Sequence, residues 1–209
     1  ITRTATCTVY VYIANGVYHI KNLNSNYYLH VKYGGIANFT DVYQFSKYSD
    51  STSNNYRIRQ MWKTYYLGNG RYSIRPLNKL DKGLDVTGSN VDIYNIGTSD
   101  TLSSVPSYGE WTISWYSTGY VFKNNGSDSK TMQIENVSTS SGATVIASTY
   151  STSTNCRWGL TKVSSPPAGA YLYDTSKEAI VTTATRAVDV GTTKSLSTLQ
   201  LSAVAYSGT

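Results

Sequence analysis

One phrase recurs three times along this chain. It reads "GVYHIKNLNSNYYLHV" over residues 16–31, "GRYSIRPLNKLDKGLDV" over 70–86 and "TGYVFKNNGSDSKTMQI" over 118–134. Four anchors keep one order in all three copies. An aromatic falls at Tyr18, Tyr72 and Tyr120, in steps of 54 and 48. An apolar pair follows at Leu29/Val31, Leu84/Val86 and Met132/Ile134, then a valine at Val42, Val91 and Val145. Trp62, Trp111 and Trp158 close the units, in steps of 49 and 47. Such a period means that each unit is one supersecondary piece that buries its apolar face against its copies.

Each unit reads as four short strands. In the first they are "GVYHIKN", "YYLHV", "DVYQF" and "QMWKTYYL", separated by Asn, Ser and Gly. Val17, His19 and Lys21 alternate with Tyr18 and Ile20, the period of a half-buried strand. No useful helical period lies between residues 13 and 163. Twelve strands in a closed arrangement would leave few edges exposed. Composition agrees with an all-β chain of 209 residues: 20 Tyr, 16 Gly and only 14% charged residues.

The net charge of +6 raises nucleic acid as a partner. Lys and Arg are scattered singly, however, and the nearest cluster, "YRIRQMWK", alternates as a strand does, so no nucleic-acid footprint is present. No stretch approaches the roughly twenty apolar residues of a membrane span. Cys7 and Cys156 match no metal spacing; a bridge between them is open to an exported protein, and two separate thiols is the favoured reading. The opening "ITRTATCTVYV" alternates like a strand and lacks the pattern of a signal peptide, so a fragment of a longer chain is expected.

The three units, as "G-x-Y-x-I … L-D-V … V-x-x-Y … W", resemble the ricin-type β-trefoil lectin family over residues 16–163. The resemblance implies a β-trefoil, a six-stranded barrel capped by three hairpins. The family's Gln-x-Trp signature stands intact as Gln60-Met61-Trp62, against Gly109-Glu110-Trp111 and Cys156-Arg157-Trp158. One Trp per unit at that spacing is expected in the core, whereas Trp115 stands between units.

The trefoil is expected over residues 13–163, with a linker "SSPPAG" at 164–169. Residues 170–209 contain "VDVGTTKSL", which resembles the opening strands of a bacterial immunoglobulin-like domain. Residues 1–12 contain "TATCTVYV", similar to a closing strand of one. That order suggests a piece of a tandem array. Strands within 170–205 are expected to pair with the strand at 4–12 in a small flanking β-sheet.

No catalytic arrangement is readable. His19 and His30 are the two histidines, and no Ser-His-Asp, Cys-His or His-Glu-x-x-His pattern accompanies them. Asp81, Asp85 and Asp92 lie close in sequence but are expected on turns or strand ends of a small hairpin, not around a cleft. No Asp-x-Asp pattern implies calcium, and no metal or cofactor is expected.

Sugar binding needs other parts. An aromatic ring covers the C–H face of a pyranose, and a carboxylate or amide pairs adjacent hydroxyls. In the family these are the Asp of "L-D-V" and the last residue of "V-x-x-aromatic". The resemblance therefore assigns Asp85 of "GLDV" and Tyr94 of "VDIY" to carbohydrate binding, with Asp92 where the family commonly supplies an amide. Seven positions separate Leu84 from Val91, against thirteen from Leu29 to Val42, so a shallow site is expected. In the first unit His30 takes the Asp position and is read as an exposed side chain with no ligand; the alternative is a weaker sugar site in which the His30 imidazole, Tyr43 and Gln60 bond hydroxyls and Phe45 stacks. In the third unit Gln133 and Ser148 leave no ring, and no site is expected.

The resulting expectation is a non-catalytic module of a secreted or surface bacterial protein, binding a glycan or polysaccharide as a monomeric part of a multidomain chain. The competing expectation is a structural spacer or protein-interaction trefoil that has lost sugar binding.

Overall fold

A computed structural model describes residues 12–126 and 130–167. The first unit comprises β1 (Gly16–Asn22), β2 (Tyr28–Val31), β3 (Thr40–Phe45) and β4 (Trp62–Gly68). The second comprises β5 (Arg71–Pro76), β6 (Lys82–Thr87), β7 (Asn90–Asn95) and β8 (Trp111–Tyr116). The third comprises β9 (Gly119–Asn124), β10 (Thr131–Ile134), β11 (Val145–Ser148) and β12 (Trp158–Lys162). The alternation that marked β1 holds from Tyr18 to Lys21, with Tyr18 and Ile20 buried and His19 and Lys21 only partly so, whereas Val17 on the outer face is buried against Ile58 and Met61.

The first and last strands of each unit close on one another. β1 pairs with β4, β4 with β5, β5 with β8, β8 with β9, β9 with β12 and β12 with β1, all antiparallel. The ring is a six-stranded barrel. The inner strands of each unit form hairpins, β2–β3, β6–β7 and β10–β11. The hairpins cap one end by pairing in a triangle, β3 with β7, β7 with β11, and Tyr43 of β3 with Thr144 ahead of β11. This is a β-trefoil, as the repeat implied.

Between β4 and β5 the chain reverses through Gly68, Asn69 and Gly70, all with φ between 53° and 105°. Left-handed backbone at consecutive positions suits only Gly and Asn without cost, which explains "GNG" there.

All four anchors enter one core cluster, with Tyr120 packed at its margin. The tryptophans are fully buried, and each indole finds an acceptor on a hairpin strand. Trp62 Nε1 donates to the Leu29 carbonyl at 3.0 Å, Trp111 to Leu84 at 2.9 Å and Trp158 to Met132 at 3.1 Å. A buried indole N–H without a partner would be costly, so these bonds fix both ring and strand. Trp115 stands apart, half exposed and edge-on to Tyr120.

The sequence read no helix, and the structure adds one turn at Asn54–Arg57 within the β3–β4 loop. Four residues are too few to leave a periodic signal. Cys156 is a buried free thiol. Cys7 and the proposed flanking sheet of residues 4–12 and 170–205 lie outside the described residues, apart from Tyr12.

Replacing Trp111 by Ala should cost about 3–5 kcal/mol through the cavity it leaves. Trp111→Phe keeps much of the volume but leaves the Leu84 carbonyl unpaired, at about 1–3 kcal/mol. Urea midpoints of the two variants should fall in that order; a Trp111→Ala protein with an unchanged midpoint would remove Trp111 from the core.

Candidate functional site

Leu84 and Val86 point into the core, so the pleat turns Asp85 to the outer face of β6. By the same rule Val91 and Ile93 point inward while Asp92 and Tyr94 share that outer face. The register sets Asp85 opposite Asp92, and Asp92 opposite Asp41 of β3. Three carboxylates thus stand abreast across β6, β7 and β3. The expected placement of Asp85 and Asp92 on turns or strand ends is corrected. Both lie mid-strand, because the two-residue turn at Gly88–Ser89 lets the hairpin run on to Thr87 and Asn90.

Their environments differ. Asp41 is held by Lys32 at 2.7 Å and Asn90 at 3.0 Å, bonds that keep its carboxyl below the usual range. Asp85 is 5% exposed; its Oδ1 accepts the Val86 N–H at 2.6 Å, and burial still pushes its pKa up. Asp92 is 1% exposed, and its Oδ1 has no hydrogen-bond partner among the described residues. Burial, opposed by a bond from Thr87 and reinforced by Asp85 and Asp41, raises it to about 6.

Tyr94 lies between two rings that the sequence did not single out. Phe39, 57% exposed, approaches at 4.9 Å between centroids, and Tyr108 meets it edge-on at 5.6 Å. Phe39 comes from the first unit, whose Asn38 Oδ1 takes bonds from Lys82 and the Asn95 N–H and docks that loop on the middle hairpin. Tyr108 stands three positions before Trp111, the place of Arg59 and Asn155 in the other units. Extending the repeat alignment upstream of each Trp would have found Tyr108; nothing in the sequence marks Phe39. The rim that the short hairpin does not supply comes from these two rings.

The first unit corrects the sequence reading of His30. It is 0% exposed, stacked on Tyr43 at 4.9 Å and flanked by Phe45 at 5.2 Å and Tyr48 at 5.6 Å. Tyr48, from the loop after β3, completes the cover. Burial and the nearby Arg59 push the imidazole down to about 4, so it is neutral at pH 7. Neither ring nitrogen is bonded within the described residues. The Gln60 amide, expected to face a sugar, is spent on the loop: Nε2 donates to the Ser46 carbonyl at 2.7 Å and Oε1 accepts from the Tyr48 N–H at 3.0 Å.

The same slot is filled differently in each unit. At Gly109 a β-carbon would collide with Ile96, whose apolar side chain takes the place of the Gln60 brace. In the third unit Cys156 Sγ donates to Gln133 Oε1 at 3.0 Å, and Ser148 offers no ring. The middle hairpin is where a carboxylate and a ring share an outward face.

The closed ring of six strands and its three capping hairpins define a β-trefoil. Residues 8–98 match the family described as ricin-type β-trefoil lectin domain-like. A search of curated proteins found no match. Among solved structures, the designed threefold-symmetric protein ThreeFoil is similar with TM-score 0.60 and 27% identity, over 71% of this chain and 99% of that one. The Rhizoctonia solani agglutinin aligns with TM-score 0.58 and 13% identity, over 73% and 99%. The C-terminal half of the earthworm R-type lectin, solved with GalNAc, gives 0.53 and 15%, over 71% and 99%. These findings support a ricin-type β-trefoil lectin-like domain.

The raised pKa of Asp92 carries a stability consequence. Folded Asp92 holds its proton up to about pH 6, while the unfolded group releases it near 3.8. Between those values the folded state binds more protons, so stability falls as pH rises. At pH 7 the loss is on the order of 3 kcal/mol, from about 1.4 kcal/mol per unit. His30 acts in the opposite sense, costing stability as pH falls from 6.5 towards about 4. Asp92→Asn should therefore raise the thermal midpoint at pH 7, with the gain closing towards pH 4; no gain at pH 7 would contradict the placement of Asp92.

Proposed function

We propose that residues 13–163 form a non-catalytic carbohydrate-binding module that holds a sugar over the middle hairpin, as part of a larger secreted or surface bacterial protein. The observation that carries this reading is the shared outward face of Asp85 and Tyr94, flanked by Asp92 and Tyr108. Tyr94 supplies a ring for the C–H face of a pyranose. Asp85 has one oxygen committed to Val86 and a second for hydroxyl donors, in a charge-assisted bond. Asp92, titrating at about 6, supplies an acceptor or, when protonated, a donor beside it. The GalNAc complex of the structurally similar earthworm lectin favours a glycan as ligand.

A glycosidase reading is prompted by two adjacent carboxylates with raised pKa. Hydrolysis needs the two groups on opposite sides of the scissile bond. Asp85 and Asp92 lie side by side on one face of one hairpin and approach a bound sugar from the same side. Binding without turnover fits that arrangement. A shallow single site gives weak affinity, which repetition along a longer chain would raise through effective concentration.

A glycan array screened with the 209-residue chain should yield neutral-sugar binders. Asp85→Ala and Tyr94→Ala should each abolish that binding and leave the thermal midpoint within a few degrees, as changes of about 1 kcal/mol do. Binding that survives both substitutions would displace the site from the middle hairpin. A chain that binds no glycan at all would favour the spacer reading.

A further inference from the structure

The loops that lead from each hairpin to its closing tryptophan differ in length. Trp62 follows Phe45 by 17 positions and Trp111 follows Tyr94 by 17, whereas Trp158 follows Ser148 by only 10. In the middle unit the long loop lies on the outer wall of the β4–β5 hairpin and is locked there by Arg75. That buried guanidinium pairs with Asp100 at 2.8 Å and donates to the carbonyls of Leu80, Gly97 and Ser99, while Ser73 also reaches Asp100. In the first unit the long loop covers β1, where His19 Nδ1 meets the Gln60 carbonyl and Val17 packs on Ile58 and Met61.

The third unit lacks those seven residues. Counting from the anchor Tyr72 and Tyr120, the residue that corresponds to Arg75 is Lys123. Its ammonium is exposed, and no carboxylate of the described residues pairs with it. Where the middle unit places its own loop, the wall formed by β8 and β9 carries an open cavity of about 440 Å³. That size falls within the roughly 300–1,000 Å³ of small-ligand sites. Tyr116 and Tyr150 stand at its edge, edge-on at 5.7 Å and half exposed, with the Arg157 guanidinium over Tyr116. Thr112, Ser114, Thr131 and Thr149 line the rest with hydroxyls, and among the described residues Lys123 is its one charged lining residue.

We propose that this cavity is a second binding site, distinct from the Asp85 hairpin, and that it takes a saccharide bearing a carboxylate. The ligand carboxylate occupies the place that Asp100 takes in the middle unit and pairs with Lys123. Tyr116 and Tyr150 take the apolar face of its ring, and the hydroxyls meet its rim. A neutral sugar gains little here, since no acid among the described residues lines the cavity to pair its hydroxyls. The charge-assisted bond to Lys123 selects the acidic one.

The test is titration of the 209-residue chain with a glucuronate disaccharide, N-acetylneuraminate and neutral lactose, followed by calorimetry and amide NMR. The acidic sugars should bind, more weakly as salt rises, and shift the amides of Lys123, Thr131 and Tyr150. Lys123→Gln should weaken that binding about tenfold, while Asp85→Asn leaves it unchanged. Loss of acidic-sugar binding in Asp85→Asn but not in Lys123→Gln would overturn the second site. Equal response to lactose and glucuronate at the Lys123 amides would overturn its charge selectivity. No shift at Lys123 and Tyr150 with any acidic sugar would also reject the proposal, whether or not the Asp85 hairpin binds neutral glycans.

Discussion

Three indole N–H groups hold the molecule to its threefold plan. Each buried tryptophan donates to the backbone carbonyl of a hairpin strand, at Leu29, Leu84 and Met132. The residue after each acceptor is the one that points outward: His30, Asp85 or Gln133. Core and site are therefore joined by a single bond per unit, between a side chain that must be Trp and a carbonyl that every residue possesses. The acceptor carries no side-chain requirement, so the outward neighbour can change without loosening the scaffold. That separation explains how three copies keep one core while presenting an imidazole, a carboxylate and an amide.

The second constraint is the slot two positions before each tryptophan. Gln60 uses its amide to brace a long polar loop, Gly109 makes room for Ile96 from a loop that packs apolarly with Leu67 and Val105, and Cys156 bonds back to Gln133. Each choice fixes how its hairpin face is covered. Where the polar brace holds Tyr48, rings close over His30 and exclude water, leaving a neutral imidazole. Where Ile96 fills the slot from within, Asp85 and Asp92 stay on the outer face beside Tyr94.

Much of this was legible because the repeat is written in core residues. Tyr18, Leu29, Val42 and Trp62 recur with their partners, and burial of apolar side chains at fixed spacing leaves a pattern along the chain. The resemblance assigned Asp85, Asp92 and Tyr94 to one site, but the sequence reading set the two carboxylates on turns or strand ends and did not show that the strands run far enough to place them opposite one another on one face. What the sequence concealed depends on loops. His30 is buried by Tyr48, Tyr94 is flanked by Phe39 from another unit, and Arg75 draws in Asp100 from 25 positions away. Such contacts have no period, because each is made once and by segments whose paths the repeat does not dictate.

Loop length finally separates two outcomes from one wall position. Arg75 and Lys123 occupy corresponding places on the barrel exterior. A buried guanidinium is tolerable because its donors are met by a carboxylate and three carbonyls supplied by the chain; without them an uncompensated charge would destabilise the fold strongly. The third unit has too short a loop to supply those acceptors. An arginine buried there would have no partners, whereas a lysine can lift its ammonium into water on a flexible stem. Lys123 in an open cavity is thus what the missing seven residues require of a cation at that position.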